Sequence, residues 1–358
     1  MNFTLFGYPK TGKTTLFDIL TGAHIAVHSY ADGKRGANER IGHLPDDRLD
    51  RLWKLTPEKK KVAATVDFID LAGISFGEVK NSVFLNALRK ADGLIHVVRG
   101  FRNDEVPAAK PAINPEEDIR TMDAELLLAD LISVEARLEK LDKDLKKMKS
   151  PEGEKERDIL AKFRTRLEEG KCLRECLLHE AEEKQIKNFA FLSRKPILHM
   201  INIDESDVGR LPELESASRP GTPSSAVLAF CGKIESEIAE IEDAGERAAF
   251  LAEYGLSEPT PGRFYRTVLA LMEMIVFYTI GKDEVRAWPV KKNSTALTAA
   301  GAIHTDIERG FIRAEIIPCR TLFDIGSLQA AKEKGAIRLE GKEYIVQDGD
   351  VIYFRFAA

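Results

Sequence analysis

The chain has 358 residues, enough for two or three domains with a sizeable buried core. Its 53 lysines and arginines face 58 aspartates and glutamates, so the formal net charge of -5 excludes a globally basic protein. We therefore expect no DNA partner, and any RNA contact must be a local patch. The sequence shows neither a leader pattern nor a long apolar run, which predicts a cytoplasmic protein without a membrane partner.

The first motif is a glycine-rich loop between a predicted strand and a predicted helix. Residues 3–6 are apolar, residues 7–14 read GYPKTGKT, and a helical pattern follows. Glycines let the backbone wrap an anion, and the N-terminal end of the helix favours negative charge. This arrangement predicts a P-loop that binds a triphosphate. We assign phosphate binding to Gly7, Lys10, Thr11, Gly12, Lys13, Thr14 and Thr15.

A second motif follows the predicted strand at residues 65–70. Asp70 ends that strand and Gly73 comes three residues later, in the pattern that nucleotide switches use to hold a Mg²⁺ shell and contact the γ-phosphate. We assign Mg²⁺ to Thr14 and Asp70. Position 74 is Ile74, and an apolar side chain cannot orient water by hydrogen bonding. Hydrolysis must therefore use another group or run slowly, and no residue is assigned as catalytic.

A long charged segment then predicts a helical arm. Leucine and valine repeat with spacings of four and three between residues 127 and 145, the period of a coiled-coil seam. Residues 150–153 read SPEG and predict a break, after which a second helix folds back antiparallel. The first helix, over residues 118–149, would be about 48 Å long, so we expect the arm to project.

The α/β pattern resumes after the arm, with apolar strands at residues 196–201 and 226–230. The first ends in Asn202 and Glu205, where guanine-specific proteins carry an Asn-Lys-x-Asp motif, so guanine selectivity is expected to be weak. The second leads into Cys231, Gly232 and Lys233 at a helix start. We expect all five of these residues to contact the base side of the nucleotide.

The C-terminal part predicts a separate β-grasp-like module, ending in a hairpin over residues 344–356 with an Asp-Gly turn. The predicted fold is thus α/β: a P-loop domain with a mostly parallel sheet, an inserted antiparallel helical arm and a small β module. The predicted bounds are 1–117 with 188–272, then 118–187, then 275–358.

Taken together, these residues resemble the YchF (Obg-like ATPase) family of P-loop proteins. The C-terminal segments at residues 284–288, 300–315 and 346–351 are similar to the family's TGS domain almost residue for residue. Asn202 and Glu205 match the family's NxxE pattern, which the resemblance associates with ATP in preference to GTP. The resemblance further implies slow ATP hydrolysis, ribosome association and a regulatory role in translation or stress responses.

Three departures from the family pattern bear on turnover. Lys10 stands where the family carries an asparagine that helps hold K⁺ in potassium-activated relatives. The Lys10 ammonium could replace K⁺ and, with Lys13, stabilise phosphate charge; the alternative is a solvated lysine, and a role for K⁺ stays open. Lys34 occupies the position of the Mg²⁺-binding threonine in switch I, and the switch II stretch 74–80 is short.

The sequence therefore predicts a monomeric, ribosome-associated switch that binds MgATP, and GTP more weakly, and hydrolyses ATP slowly. Basic residues of the TGS module would contact ribosomal RNA: Arg286, Lys291, Lys292, Arg309, Arg313 and Arg355. The alternative is a catalytically impaired adaptor that binds the nucleotide and holds a partner through the arm and the TGS module.

Overall fold

The structure is a computed structural model that describes residues 1–22, 38–56, 59–73, 82–104, 106, 112–217 and 224–357. Two predictions, for Lys34 and for switch II at residues 74–80, lie outside these residues. The chain divides into two compact units. The first comprises residues 1–42 and 67–260, and the second comprises residues 43–66 and 261–358.

The described part of the chain alternates between strands and helices. The strands are β1 (Asn2–Phe6), β2 (Asn38–His43), β3 (Lys60–Val62), β4 (Thr65–Asp70), β5 (Gly93–Gly100), β6 (Ile197–Ile203), β7 (Ser225–Phe230), β8 (Met274–Ile280), β9 (Glu284–Lys291), β10 (Phe311–Pro318), β11 (Arg338–Glu340) and β12 (Asp350–Phe356). The helices are α1 (Lys13–Thr21), α2 (Asp47–Lys54), α3 (Ser82–Lys90), α4 (Pro115–Lys147), α5 (Pro151–Glu168), α6 (Glu180–Ile186), α7 (Leu211–Ala217), α8 (Gly232–Glu240), α9 (Ala244–Glu253), α10 (Thr260–Leu271), α11 (Ala296–Ile303), α12 (Thr305–Arg309), α13 (Cys319–Ile325) and α14 (Leu328–Glu333).

The first unit is built on a sheet with the order β2-β4-β1-β5-β6-β7. β1 pairs in parallel with β4 and β5, and the β5–β6 and β6–β7 pairs are also parallel. β5 and β6 are buried along nearly their whole length, as expected for central strands of a parallel sheet covered by helices. The predicted α/β nucleotide-binding architecture is confirmed, and the carboxyl ends of these strands meet at one edge.

The arm is an antiparallel pair formed by α4 and α5. Leu138 and Leu141 of α4 share a hydrophobic cluster with Leu160 and Phe163 of α5, so the predicted fold-back is confirmed. The predicted break is shorter than residues 150–153. Ser150 caps α5 by accepting a hydrogen bond from the Gly153 N–H at 3.2 Å, and the proline at position 151 lies in the first turn, where a helix tolerates it.

The second unit contains a six-stranded sheet with the order β11-β10-β12-β8-β9-β3. The segment from His43 to Val66, which the predicted bounds place in the nucleotide-binding domain, belongs to this unit because β3 pairs in parallel with β9. Within the same segment, the Arg51 guanidinium lies 3.9 Å from the centre of the Phe323 ring. The sequence gives no local sign of these contacts, since both partners are distant along the chain.

The predicted hairpin over residues 344–356 is wrong. β12 pairs antiparallel with β10 and parallel with β8, and residues 344–347 form no strand. Asp348 and Asp350 act differently from hairpin turn residues. The Asp350 carboxylate accepts hydrogen bonds from the Gln347 N–H and the Tyr344 hydroxyl, both at 2.9 Å, and Asp348 accepts from the Val276 N–H at 2.9 Å. These contacts fix the position at which β12 begins within the sheet.

Candidate nucleotide-binding site

The glycine-rich loop joins β1 to α1 and is shaped by three residues with positive φ. Gly7 has φ 144°, Gly12 has φ 90° and Lys10 has φ 62°. A Cβ on Gly12 would lie 2.2 Å from the Asn202 side-chain nitrogen, and a Cβ on Gly7 would lie 2.4 Å from the Val97 carbonyl oxygen. Both positions therefore require glycine, which leaves the loop backbone free to wrap an anion at the start of α1.

Lys13 is largely buried under this loop, with 7% of its surface exposed. Its ammonium donates to the Tyr8 carbonyl at 2.7 Å and lies 3.3 Å from the Gly7 carbonyl oxygen. Burial lowers the pKa of Lys13 to about 8, an effect that the Asp70 carboxylate partly opposes. The Lys13 side chain is thus held by backbone carbonyls of the P-loop, the same loop that would bind phosphate together with this lysine.

Thr14 and Asp70 lie together beside Lys13. The Thr14 hydroxyl donates to Asp70 Oδ2 at 3.1 Å. Asp70 Oδ1 is buried and has no hydrogen-bond partner among the described residues. Burial raises the pKa of the Asp70 carboxyl, while the Thr14 hydrogen bond and the Lys13 charge act in the opposite direction.

A hard divalent cation fits this pair, because a buried carboxylate oxygen without a donor and a hydroxyl oxygen are ligands that Mg²⁺ accepts. Among the described residues, no group of three or more His, Cys, Asp or Glu side chains could hold a metal. The protein alone would therefore supply few ligands, and Mg²⁺ bound by Thr14 and Asp70 would also need phosphate and water oxygens. When bound, the ion would neutralise phosphate charge.

The base side of the site begins at the end of β6. The Asn202 amide donates to the Thr11 carbonyl at 3.2 Å, and its oxygen accepts from the Gly232 N–H at 2.9 Å. Both ends of the amide are thus committed to tying the P-loop to the start of α8. Glu205 Oε2 accepts from Lys233 Nζ at 2.8 Å, so the carboxylate at the predicted base position has a cation beside it.

These groups surround one cavity of about 1170 Å³ in the first unit. Most of the predicted site residues line it: Lys10, Gly12, Lys13, Thr14, Thr15, Asp70, Gly73, Asn202, Glu205, Cys231, Gly232 and Lys233. Gly7 and Thr11 do not line it. Gly7 is fixed behind the loop, and the buried Thr11 hydroxyl donates to the Tyr8 carbonyl at 3.2 Å.

Sequence reasoning missed a group at the end of β5. Arg99 is buried and donates to the Lys10 carbonyl at 3.1 Å, and its guanidinium lies 4.1 Å from the centre of the Phe101 ring. Phe101, Arg102 and Asn103 line the cavity. The available signal was positional, since residues that follow a central parallel strand lie where ligands bind in such sheets.

His96 is fully buried in β5. Its Nδ1 lies 3.1 Å from Nδ1 of His199 on β6, and burial lowers the pKa of His96 to about 3. Because both rings are inaccessible to solvent, neither histidine touches the cavity. They pack within the sheet beneath the P-loop.

A glycine-rich loop at a helix start, an aspartate ending the neighbouring strand and polar residues after β6 and β7 together define a P-loop nucleotide-binding protein of the GTPase class. Among the described residues, the helices include none long and apolar enough to span a membrane.

Comparisons with known proteins agree with this class. A family model described as a 50S ribosome-binding GTPase matches residues 2–161, and the model of the C-terminal domain of YchF GTPases, described as a protein of unknown function, matches residues 274–357. The ribosome-binding ATPase YchF of Bacillus subtilis is 39% identical over 98% of both chains. The Obg-like ATPase 1 of Oryza sativa subsp. japonica is 32% identical, with 98% of this chain and 91% of the relative covered.

A solved structure of the YchF GTPase of Schizosaccharomyces pombe is similar along nearly the whole chain. It has a TM-score of 0.83 and 26% identity and covers 99% of this chain and 97% of its own. The chain belongs to the YchF family.

Proposed function

We propose that this protein is a cytoplasmic, monomeric P-loop switch that binds MgATP in preference to GTP, hydrolyses ATP slowly and associates with the ribosome. The observation that carries the nucleotide part is the Thr14–Asp70 pair beside the buried Lys13. These groups supply a cation position and a buried ammonium where the triphosphate would lie. Relatives at 32–39% identity are named ribosome-binding or Obg-like ATPases, which supports the same proposal.

The preference for adenine rests on Glu205 and Lys233. Because Glu205 Oε2 already accepts from Lys233 Nζ at 2.8 Å, the carboxylate has less charge to offer the two donors of guanine, N1–H and the 2-amino group, and the longer glutamate does not reproduce the aspartate of guanine-specific sites. The exocyclic amino group of adenine is a single donor group, and the Glu205 carboxylate can still accept a hydrogen bond from it. We therefore assign base recognition to this pair and the phosphate and Mg²⁺ roles to the P-loop and Asp70.

Slow hydrolysis follows from the identity of the residue after Gly73, the glycine of the second motif. Ile74 cannot orient the attacking water, because its side chain forms no hydrogen bonds. The remaining contribution is the stabilisation of phosphate charge by Lys13, and Lys10 is a second candidate for that role. The role of Lys10 in place of K⁺ remains part of this proposal. It predicts that hydrolysis does not change when NaCl is replaced by KCl.

A single-turnover assay with γ-³²P-labelled ATP tests the enzymatic part. We expect phosphate release above the spontaneous rate, abolished in Lys13→Ala and unchanged in Lys342→Ala, an exposed lysine of the second unit. Release no faster than in buffer would favour the adaptor alternative, for which Lys34 and the short switch II stretch at residues 74–80 are the evidence. Cosedimentation with ribosomes tests the partner separately, and failure to pellet would remove that part alone.

A further inference from the structure

One side of strand β12 is paired along its whole length, and the other side is not. Towards β10, every residue from Asp350 to Phe356 has a partner in the register. Towards β8, the register contains a single pair, Val351 with Tyr278. Continued in parallel, this register brings the last residue of β8, Ile280, level with position 353. The last three residues of β12 therefore extend past the end of β8.

The backbone groups of Phe354 and Phe356 face this open side. N–H and C=O groups alternate between the two sides of a strand from one residue to the next. The Gly349 carbonyl and the Ala357 N–H, at the two ends of β12, both bond to residues that flank β10, each at 2.8 Å. Odd-numbered residues of β12 therefore direct their backbone groups to β10, and Phe354 and Phe356 direct theirs to the opposite side. Within the described ranges, no strand pairs with them there.

An open space, the β12 groove, lies along this edge with a volume of about 760 Å³. Its lining includes Ile280 and Lys282 at and after the end of β8, and Tyr353, Phe354 and Phe356 of β12. Side chains alternate between the two faces of a strand, and Phe354 packs in the core while Tyr353 is 59% exposed. Since the groove touches residues of both faces, it reaches the backbone edge between them. The structure therefore leaves room beside β12 for an added strand.

The turn that ends β8 is fixed by its own contacts. The Gly281 N–H donates to the Glu284 carbonyl at 2.9 Å, which reverses the chain. Lys59 Nζ donates to the carbonyls of Gly281 and Lys282, both at 2.8 Å. These bonds direct the turn towards β3 and β9, so β8 does not continue along β12. The open edge is therefore set by contacts inside the second unit.

The charges of the β12 groove favour an acidic ligand. Its charged lining residues are Lys282, Glu315, Lys332 and Arg355, and three cations against one carboxylate leave a formal charge of +2. Arg355 Nε donates to Glu315 at 2.6 Å, so that carboxylate is already neutralised. Lys282 and Lys332 are exposed, and neither forms an ion pair with another described residue. Both ammonium groups are therefore available to the carboxylates of a ligand.

We propose that the β12 groove binds an acidic peptide in an extended conformation. The peptide pairs as an added strand with Phe354 and Phe356 and places carboxylates beside Lys282 and Lys332. Added strands gain affinity from main-chain hydrogen bonds and specificity from alternate side chains. Acidic side chains on one face of the peptide thus alternate with apolar ones that cover the Phe356 ring, which is 44% exposed. This inference rests on neither the nucleotide site nor the ribosome association.

The experiment uses the full chain and a fluorescein-labelled peptide of ten residues in which glutamate and valine alternate, followed by anisotropy. We expect saturable binding, about tenfold tighter than that of a matched peptide in which lysine replaces glutamate. Lys332→Glu should weaken binding about fivefold, because it replaces an attraction by a repulsion. Lys342→Glu, which reverses an exposed charge outside the groove, should leave the affinity unchanged.

Three measurements test the added strand itself. Methylation of every backbone nitrogen of the peptide removes its donors and should abolish binding. Phe356→Pro removes the N–H that faces the open side, a position at which a strand tolerates proline, whereas Phe356→Leu keeps this N–H. We expect the proline variant to bind about fivefold more weakly than the leucine variant. Hydrogen exchange of residues 350–357 should slow when the peptide is bound.

Four results would overturn the proposal. Absence of saturable binding would leave Lys282 and Lys332 only the role of protecting a free edge. Equal affinity of the methylated peptide would exclude main-chain pairing, and equal affinity of the lysine peptide would exclude the charge preference. Displacement of the labelled peptide by oligouridine at a lower concentration than by the unlabelled peptide would assign the groove to nucleic acid.

The nucleotide site provides the separation from the proposed function. Lys13→Ala should lose ATP binding and keep peptide binding, because Lys13 belongs to the first unit and the groove to the second. Loss of both in this folded variant would place the peptide in the nucleotide site and refute the β12 groove. If the protein binds the peptide as predicted but neither hydrolyses ATP nor pellets with ribosomes, the β12 groove stands and the proposed function fails.

Discussion

Asn202 has both ends of its side-chain amide bonded to backbone groups, one on the P-loop and one at the start of α8. It therefore acts as a brace between the two halves of the nucleotide site. Its side chain lies close to Gly232, since a Cβ at that position would be 3.2 Å from the Asn202 oxygen. This contact joins residues that are 191 and 30 positions apart along the chain.

The Asn202→Ala substitution should destabilise the first unit. It leaves the Gly232 N–H and the Thr11 carbonyl without their partner, which costs about 1–3 kcal/mol in free energy of unfolding for a buried group. We also expect weaker MgATP binding, because the P-loop loses its tether. Ser236→Ala is the matched control, since Ser236 lines the same cavity but bonds only to the Gly232 carbonyl in its own helix. Chemical denaturation and calorimetric titration measure the two effects, and equal behaviour of both variants would refute the brace.

The pKa of Lys13 predicts how nucleotide affinity depends on pH. In the free protein burial lowers this pKa to about 8, while a bound triphosphate would stabilise the ammonium and raise it. Above pH 8 the complex then holds more protons than the free protein, so the affinity for MgATP falls as pH rises. The dissociation constant should increase between about pH 8 and 9.5, up to tenfold for each pH unit.

Isothermal titration calorimetry at several pH values in this range checks that prediction. ATP itself is fully ionised throughout, so its own titration does not contribute. A dissociation constant that stays constant from about pH 7.5 to 9.5 would show that Lys13 does not change its protonation on binding.

The long helix α4 contributes side chains to two separate hydrophobic clusters. Met122, Leu126 and Ala129 in the first half of α4 pack in the cluster beneath the parallel sheet. Leu138 and Leu141 in the second half pack with α5 instead. The helix therefore ties the arm to the nucleotide-binding domain, while its far half packs in a second cluster with α5 and with Leu173, Ile186 and Phe191.

Phe163→Ala should loosen the far half of the arm selectively. Phe163 is 1% exposed and lies in the arm cluster, where its removal costs about 3–5 kcal/mol. Hydrogen exchange should show lost protection in α5 and in residues 131–147, with β1, β5 and β6 unaffected. Leu177→Ala, at a side chain 99% exposed, is the control and should change nothing. Equal loss of protection throughout the first unit would show that the arm is not a separate cooperative region.

At the scale of the molecule, the chain leaves the first unit after β2, contributes α2 and β3 to the second, and returns through β4. Arg48 helps to hold this excursion. It donates to Asp46 at 3.2 Å and to Asp348 at 2.6 Å, and it lies 5.4 Å from the centre of the Tyr278 ring. The chain between the two nucleotide motifs is thus part of the C-terminal fold.

Arg48→Ala should destabilise the second unit by about 1 kcal/mol, the size expected for a half-exposed ion-pair group. Peptides from β8 and β12 should exchange amide hydrogens faster in this variant, and MgATP affinity should stay within about twofold, since Arg48 touches no residue of the P-loop among its recorded contacts. Arg320→Ala, another exposed arginine of the second unit, serves as the control. No change in exchange at β12 would show that Arg48 does not help to hold this segment in the second unit.

Local patterns predicted those parts of the fold whose signal is local. Strands β1, β6 and β7 are short apolar runs, β4 alternates buried and exposed side chains over most of its length before Asp70, and the arm has a repeat of four and three. The P-loop and Asp70 were found because their chemistry fixes residue types at set spacings.

Contacts between distant segments could not be read in this way. The pairing of β3 with β9, the position of β12 between β10 and β8, and the bond from Arg99 to the Lys10 carbonyl depend on tertiary packing. The Asp-Gly pair at residues 348 and 349 is a typical hairpin turn, but Asp348 and Asp350 bond instead to Val276 and Tyr344. The tertiary pairing of β12 with β10 and β8 overrode this local signal.

The most direct test of the account is a calorimetric titration of the purified protein with ATP and with GTP in the presence of Mg²⁺. We expect saturable binding of ATP, tighter than that of GTP, and loss of binding in both Lys13→Ala and Asp70→Ala while the variants remain folded by circular dichroism. No saturable uptake of either nucleotide, or a preference for GTP of about tenfold, worth 1.4 kcal/mol, would contradict it.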